Sequence, residues 1–291
     1  MSVFVCGALH LDVMVDAPHL PTPDETVTGS AVAYAFGGKG GNQAVAAARM
    51  GARVEMAGRV GSDDFARALL GGLDAAGVGR VQVQEVSGAS GMSVAIVETG
   101  GTYGAVIVSA ANLQNDGRIT LPSGCTSLLL QNEIPASANH EAANRARAAG
   151  VRVILNAAPA RVDDMGLLAL TDLLVVNRVE AAQLLGLDRL DDPLAAAASL
   201  VALGPGQVIV TLGGDGLVLF DGKARHSPAR RVQVASTHGA GDAFIGALAA
   251  RLDQDDALFA ACSFAQGAAA LHVAAPPEAR AAITPAQVLA L

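Results

Sequence analysis

No tryptophan occurs among the 291 residues, and aromatic side chains make up only 3% of them. A core without large rings is built from Val, Leu, Ile and Ala, which suits helices packed on a buried sheet. Cysteine is scarce as well. Cys6, Cys125 and Cys262 stand far apart and form no C-x-x-C pair, so they give no basis for a disulfide framework or a zinc site. Buried, inert thiols in a reducing compartment are expected instead. Positive charge is in deficit: Lys and Arg number 19 against 27 Asp and Glu, a formal charge of −8, with a pI near 5.1. An acidic chain without a basic stripe argues against nucleic acid as a partner. A phosphorylated small molecule stays open, because local dipoles rather than net charge hold it. Long apolar runs are missing too. Mean hydropathy is +0.41, yet no uninterrupted stretch reaches the ~18 residues of a membrane span. Ala257–Ala275 is broken by Ser263, Gln266, Gly267 and His272 and reads as a buried helix. The N-terminus, MSVFVCGALHLDV, lacks a cationic region and a small-residue cleavage end, so it reads as a strand rather than a signal peptide. A cytoplasmic protein with no membrane contact is expected.

What is present is an alternation of strands and helices. The length suits one large α/β domain or two smaller ones; no second large domain, internal repeat or low-complexity tract stands out, so a single domain over 1–291 is expected. Apolar runs predict strands at 3–8, 32–36 and 54–60, with helices after Gly37–Asn42 and over 63–76. Residues 16–28, rich in Pro, Thr and Asp, read as a loop. Short strands at 81–84, 92–98 and 105–109, separated by SGASG and TGG, predict an antiparallel flap. With the excursion near 12–36, the segment 88–110 is expected to form a small lid. From residue 125 the βα alternation is regular, with strands at 127–130, 151–156, 173–176 and 207–212, and a hairpin over 217–225. That pattern predicts a mainly parallel sheet. Four strands end in QNE, NAAP, NRVE or TLGGDG, and polar strand ends of a parallel sheet converge on one crevice.

The stretch THGAGDAFIGAL, 237–248, carries the strongest local signal. Gly239, Ala240 and Gly241 precede a lone carboxylate, Asp242, and an apolar run that reads as a helix. Such a turn leaves backbone N–H groups unpaired, and the helix dipole adds positive potential, so phosphate suits the spot. Asp242 there either takes a proton from an attacking hydroxyl or is a first-turn carboxylate stabilised by the dipole. GGKGGN, 37–42, matches neither common nucleotide fingerprint. Gly38 permits close backbone approach, and Lys39 and Asn42 are polar fingers, or the segment is a tight turn with a solvated lysine. His10 and Asp12, two apart on one extended face, suit a polyol, or His10 is structural. Asn177 and Glu180 either organise magnesium through water or cap a helix as N-cap and N3. Glu133, Thr211 and Gly213 end neighbouring strands.

Together GGKGGNQAVAAARMG, GAGDAFIGALAA and NRVE resemble, in order and spacing, the signature segments of the ribokinase-like (PfkB) carbohydrate kinases. PTPDETVTG, QNEIP, LNAAPA and VIVTLGGDG are lesser landmarks, and the resemblance covers nearly the whole chain, closest to the family's type member. It implies a Rossmann-like three-layer α/β/α body with a mainly parallel central sheet and a small β-sheet lid. It implies transfer of the ATP γ-phosphoryl group to a sugar hydroxyl, Mg2+ as cofactor, and a homodimer through the lid. Asp242 is similar in position to the family's base, and the amides of Gly239 to Asp242 to its anion hole. His10, Asp12, Gly38, Lys39, Asn42 and Glu133 match the acceptor side. Asn177, Glu180, Thr211 and Gly213 match the ATP and magnesium side, with Glu180 toward the metal through water, and Gln266 falls where the family contacts adenine.

Three departures bear on this reading. The type member has Asn where this chain has His10, so the acceptor need not be free ribose. The D-T before the anion turn is Ser236–Thr237 here, followed by His238, and the C-terminal G-A-x-x-S type of run is AAPPEARAAI. Both belong to the family's monovalent-cation site, so potassium activation is expected to be weak or lost. A kinase for a nucleoside or pseudouridine is the alternative within the family; a non-catalytic sugar- or nucleotide-sensing protein is the alternative outside it.

Overall fold

In the computed structural model, which describes residues 1–98 and 103–291, the chain runs β1 (Ser2–Cys6), β2 (His10–Ala17), β3 (Ala31–Gly37), α1 (Lys39–Arg49), β4 (Val54–Val60), α2 (Asp64–Ala75), β5 (Gly79–Glu85), β6 (Gly91–Glu98) and β7 (Tyr103–Val108). It continues with β8 (Cys125–Gln131), α3 (Ala136–Ala148), β9 (Arg152–Asn156), β10 (Leu173–Asn177), α4 (Arg178–Leu184), α5 (Pro193–Val201), β11 (Gln207–Thr211), β12 (Leu217–Phe220), β13 (Ala224–Ser227), α6 (Ala240–Leu252) and α7 (Leu258–Ala274).

Strand residues point alternately to opposite faces, and here both faces are buried. In β1, Val3 and Val5 enter one core while Phe4 and Cys6 enter the other; in β10, Leu173 and Val175 oppose Leu174 and Val176. Helices α1, α2, α6 and α7 fill the first core and α3, α4 and α5 the second, which makes three layers. Alanine supplies much of the helical surface, so the helices lie close to the sheet without large rings. The main sheet has the order β13-β12-β11-β10-β9-β8-β1-β4-β5 and is parallel except at β12 and β13. Growth of the sheet reverses between β1 and β8, and ligands of open α/β sheets bind at the carboxyl ends beside such a switch. The fold is the α/β class expected from the sequence.

A second sheet, of order β3-β2-β6-β7, leaves the body at that carboxyl edge, three residues after β1. It corrects the expected flap in two respects. Residues 81–84 lie in β5, which pairs parallel with β4 as the edge of the main sheet, and Val81 is 96% exposed. The alternating V-Q-V-Q of an edge strand has the same pattern as a hairpin arm. The lid is also mixed rather than antiparallel: β2 pairs parallel with β6 and antiparallel with β3. The long crossover through α1, β4, α2 and β5 permits the parallel pair. Asp16 and Ala17 belong to β2 rather than to a loop. The expected TGG turn, 99–101, lies outside the described residues.

Candidate active site

Helices α1 and α6 begin side by side at the switch point. Gly246 of α6 packs directly on α1: a Cβ there would come within 2.5 Å of Ala46 Cβ and 2.6 Å of Ala47 N. This close approach brings the first turns of both helices together. Asp242 stands at the third helical position of α6 and is held by two amides of α1. Asn42 Nδ2 donates to its Oδ2 at 3.2 Å, and Gln43 Nε2 donates to its Oδ1 at 3.0 Å. Gly239 is the N-cap, with φ 76°, a left-handed conformation that glycine adopts without strain. Gly241 and Asp242 are first-turn residues, whose N–H groups have no partner inside the helix. Ala240 differs from the expected anion hole. Its N–H donates to Thr237 O at 3.2 Å, so the tight turn itself already uses that donor.

The turn and Asp242 line a cleft that also includes Lys39, Asn177, Glu180 and Thr211. Burial raises the pKa of Asp242, while Lys39 and the two amide bonds oppose it. Glu180 and Glu133 are raised as well, burial being the largest cause in each and Lys39 again opposing. The positive Lys39 thus faces carboxylates that burial disfavours as anions.

On the lid side, Gly38 precedes α1 with φ 83° and lies against the backbone of Ala8 and His10. Glu133 follows β8 and accepts from Lys39 N at 2.8 Å through Oε2. The same oxygen is 4.0 Å from His10 Nδ1. His10 is 2% exposed, burial lowers its pKa, and its Nε2 has no partner among the described residues. The ring is therefore a neutral, tightly enclosed imidazole at the root of β2. Asp12 projects from the same strand face and accepts from Ser93 Oγ of β6. His10 thus faces Glu133 of the body, while Asp12 and Ser93 are cross-strand partners within the second sheet.

On the far side, Asn177 and Glu180 form the capping box of α4. Asn177 Oδ1 accepts from Val179 N and Glu180 N, each at 2.9 Å, and Glu180 Oε2 accepts from Asn177 N at 2.8 Å. The capping reading therefore holds, and it still leaves Glu180 at the cleft wall. Thr211 pairs with Asn177 in register and donates through Oγ1 to Val176 O at 3.3 Å. Of the expected residues, Gly213 and Gln266 do not line this cleft, and neither do His10, Asp12, Gly38, Asn42 and Glu133. Gly213 starts the turn after β11 with φ 62°. Gln266 spends its amide on the 227–228 segment: it accepts from Ser227 Oγ at 2.8 Å and donates to Ser227 O and Pro228 O. Those bonds tie α7 to β13.

A carboxylate fixed by two amides beside unpaired helix N–H groups can hold an anion and accept a proton from a hydroxyl. The family model for pfkB family carbohydrate kinases matches residues 2–279. This chain belongs to the pfkB carbohydrate kinase family. It is 35% identical to a ribokinase of Haemophilus influenzae over 284 residues, covering 94% of this chain and 92% of that one. It is 34% identical to a deoxyribokinase of Salmonella typhimurium over 259 residues, 86% of this chain and 85% of that one. The structure of Arabidopsis thaliana ribokinase complexed with ribose and ATP superposes with a TM-score of 0.90 at 29% identity, over 99% of this chain and 97% of that one.

Beneath this kinase's cleft lies an amide chain that motif reading missed. Gln43, fully buried, donates through Nε2 to Asn156 Oδ1 at 3.0 Å as well as to Asp242, and its Oε1 accepts from Gln131 Nε2 at 2.7 Å. Asn156 donates to Val175 O at 3.2 Å. Gln131 and Asn156 end β8 and β9, so the strand-end cluster reaches Asp242 through Gln43. A glutamine on the buried Ala/Val face of α1 was the available signal. Asn112 clamps the Leu9 backbone, accepting from its N–H at 3.0 Å and donating to its carbonyl at 2.8 Å.

Proposed function

We propose that this carbohydrate kinase transfers the γ-phosphoryl group of ATP to a hydroxyl of ribose or a related pentose. The observation that carries the reading is Asp242, suspended by Asn42 and Gln43 at the mouth of the amide-lined turn. The acceptor hydroxyl gives its proton to the Asp242 carboxylate as the oxygen attacks phosphorus, and the phosphorus–oxygen bond to ADP breaks. Unpaired amides of the turn and the Lys39 ammonium meet the charge that develops on the transferred group. Asp12 and Glu133 orient the acceptor, and Asn177 and Thr211 border the nucleotide. Gln266 falls outside this assignment, because its amide is spent on Ser227 and Pro228.

Magnesium fits the residues present. The donors facing the cleft are oxygens, the type that hard cations prefer. Glu180 uses one carboxylate oxygen for its cap, and burial raises its pKa, so a nearby cation would relieve it. Glu180, through water, would hold the ion together with the nucleotide phosphates. When bound, Mg2+ neutralises charge on those phosphates.

A homodimer through the lid is also proposed. Tyr34, Val13, Val94 and Val106 form one cross-strand row on a face of the second sheet. Tyr34 is 63% and Val106 65% exposed. A second copy is the partner that would cover such a face. Burial raises the thiols of Cys6 and Cys262 to about 12 and that of Cys125 to about 11, which leaves them unreactive.

ATP consumption across ribose, 2-deoxyribose, other pentoses, hexoses and nucleosides tests the activity. A pentose is expected to give the highest kcat/KM. Preference for a nucleoside would replace the acceptor, and no turnover of any acceptor would end the kinase reading.

A further inference from the structure

Behind the phosphate-facing turn, four backbone carbonyl oxygens converge on one side chain. Arg280 donates from Nη2 to Ser236 O at 3.2 Å and from Nη1 to His238 O at 3.1 Å. Its Nε reaches His272 O at 3.1 Å and Ala275 O at 3.3 Å, at the C-terminal end of α7. His272 Nε2 adds a second donor to His238 O at 2.9 Å. The N–H groups of Ala235 and Ser236 are tied to Val273 O at 2.8 and 3.2 Å. The turn is thus gripped from behind on both its carbonyls and the extended segment that leads into it.

Two physical consequences follow. Carbonyl rings are how proteins replace the water around a monovalent cation. A guanidinium meets the same oxygens with a fixed fork of five donors and keeps its charge at working pH. The second consequence concerns direction. In a planar trans peptide the C=O and the following N–H point opposite ways. With His238 O drawn onto Arg280 and His272, the Gly239 N–H of the same peptide unit points away from them. Gly239 is also a wall of the cleft.

We infer that Arg280 is a tethered cation that positions the 237–241 turn for phosphoryl transfer, in place of a dissolved monovalent ion. This rests on the phosphoryl-transfer reading above. It supplies an atomic cause for the weak potassium response expected from the altered flanks. Arg280 acts through the turn, so it is a positioning residue, and its bonds to His272 O and Ala275 O also cap α7. The test must therefore separate positioning from capping.

Steady-state constants of the wild type, Arg280→Ala and Arg280→Gln are measured in potassium and in tetramethylammonium chloride, with and without sub-denaturing guanidinium. Wild-type rates should agree in the two salts. Arg280→Ala should lose at least about tenfold in kcat, with acceptor KM within about threefold, because misplacing a catalytic group costs rate before affinity. Guanidinium or potassium should restore part of that kcat. Arg280→Gln, which keeps an amide donor without charge, should show the same loss and rescue, and it serves where the alanine variant does not fold. Strong potassium stimulation of the wild type overturns the inference. So does a variant with wild-type kcat, or one whose loss neither cation restores. A wild type inactive on every acceptor would instead count against the kinase reading. Amide hydrogen exchange over 236–242 then decides on Arg280: faster exchange in Arg280→Ala, slowed again by guanidinium, supports it, and unchanged exchange overturns it.

Discussion

Burial raises the pKa of Asp242 above the ordinary aspartate value of 3.8, and the hydrogen bond from Gln43 pulls it back. A base must be ionised to accept a proton, so kcat/KM should fall as pH drops through this raised value. The acid limb is expected above the range of an ordinary aspartate, read from a pH profile of kcat/KM. Gln43→Leu removes a lowering influence, so the limb should move to higher pH. It also strips partners from Asp242, Gln131 and Asn156, at about 1–3 kcal/mol for each orphaned group. An unshifted limb in Gln43→Leu would detach Gln43 from the base. Stability carries the opposite sign from activity. A group whose pKa rises on folding contributes stability fully below its unfolded pKa, and that contribution is lost as pH rises through the folded value. Charged Asp242 therefore weighs against the folded state at neutral pH. Asp242→Asn should raise the melting temperature at neutral pH, with a gain that shrinks on acidification. Thermal unfolding at neutral and acid pH checks the sign.

At the level of elements, the site depends on how closely α1 and α6 approach. Gly246→Ala sets a methyl within 2.5 Å of Ala46 Cβ, where neither helix has room to yield cheaply. A loss of about 1–3 kcal/mol is expected from overpacking, together with lower kcat as Asn42 and Gln43 are carried away from Asp242. Urea unfolding and initial rates measure the two effects. The sequence made α1 and α6 legible, because glycine turns followed by apolar runs specify helices that open at a ligand. It did not reveal Gln43, because helical periodicity assigns a buried position without naming the partners it meets there. Residues 81–84 join the main sheet rather than the flap for a related reason: period-2 alternation identifies a strand but not the sheet that receives it. Gln266 was carried to the nucleotide by resemblance, whereas its amide is spent between α7 and β13.

Across the whole molecule, the second sheet meets the body where His10 of β2 lies 4.0 Å from Glu133, while Asp12 and Ser93 pair within that sheet. The alternation of strands and helices made the parallel sheet legible, and the polar strand ends identified its working edge. The mixed pairing of the lid was not legible, since it depends on a crossover that brings β6 beside β2 rather than on local pattern. The lid's outward row predicts assembly. Tyr34→Glu, at an exposed apolar position distant from Asp12 on the sheet's other face, should convert a dimer into a monomer in sedimentation. A wild type that sediments as a monomer would remove the proposed dimer. All of these parts converge on Asp242, the proposed proton acceptor. The most direct measurement is kcat and acceptor affinity for Asp242→Asn against the wild type. A fall in kcat of about 10²–10⁴-fold, with acceptor Kd within a few-fold, is expected of a lost base; an unchanged kcat would contradict Asp242 as the base.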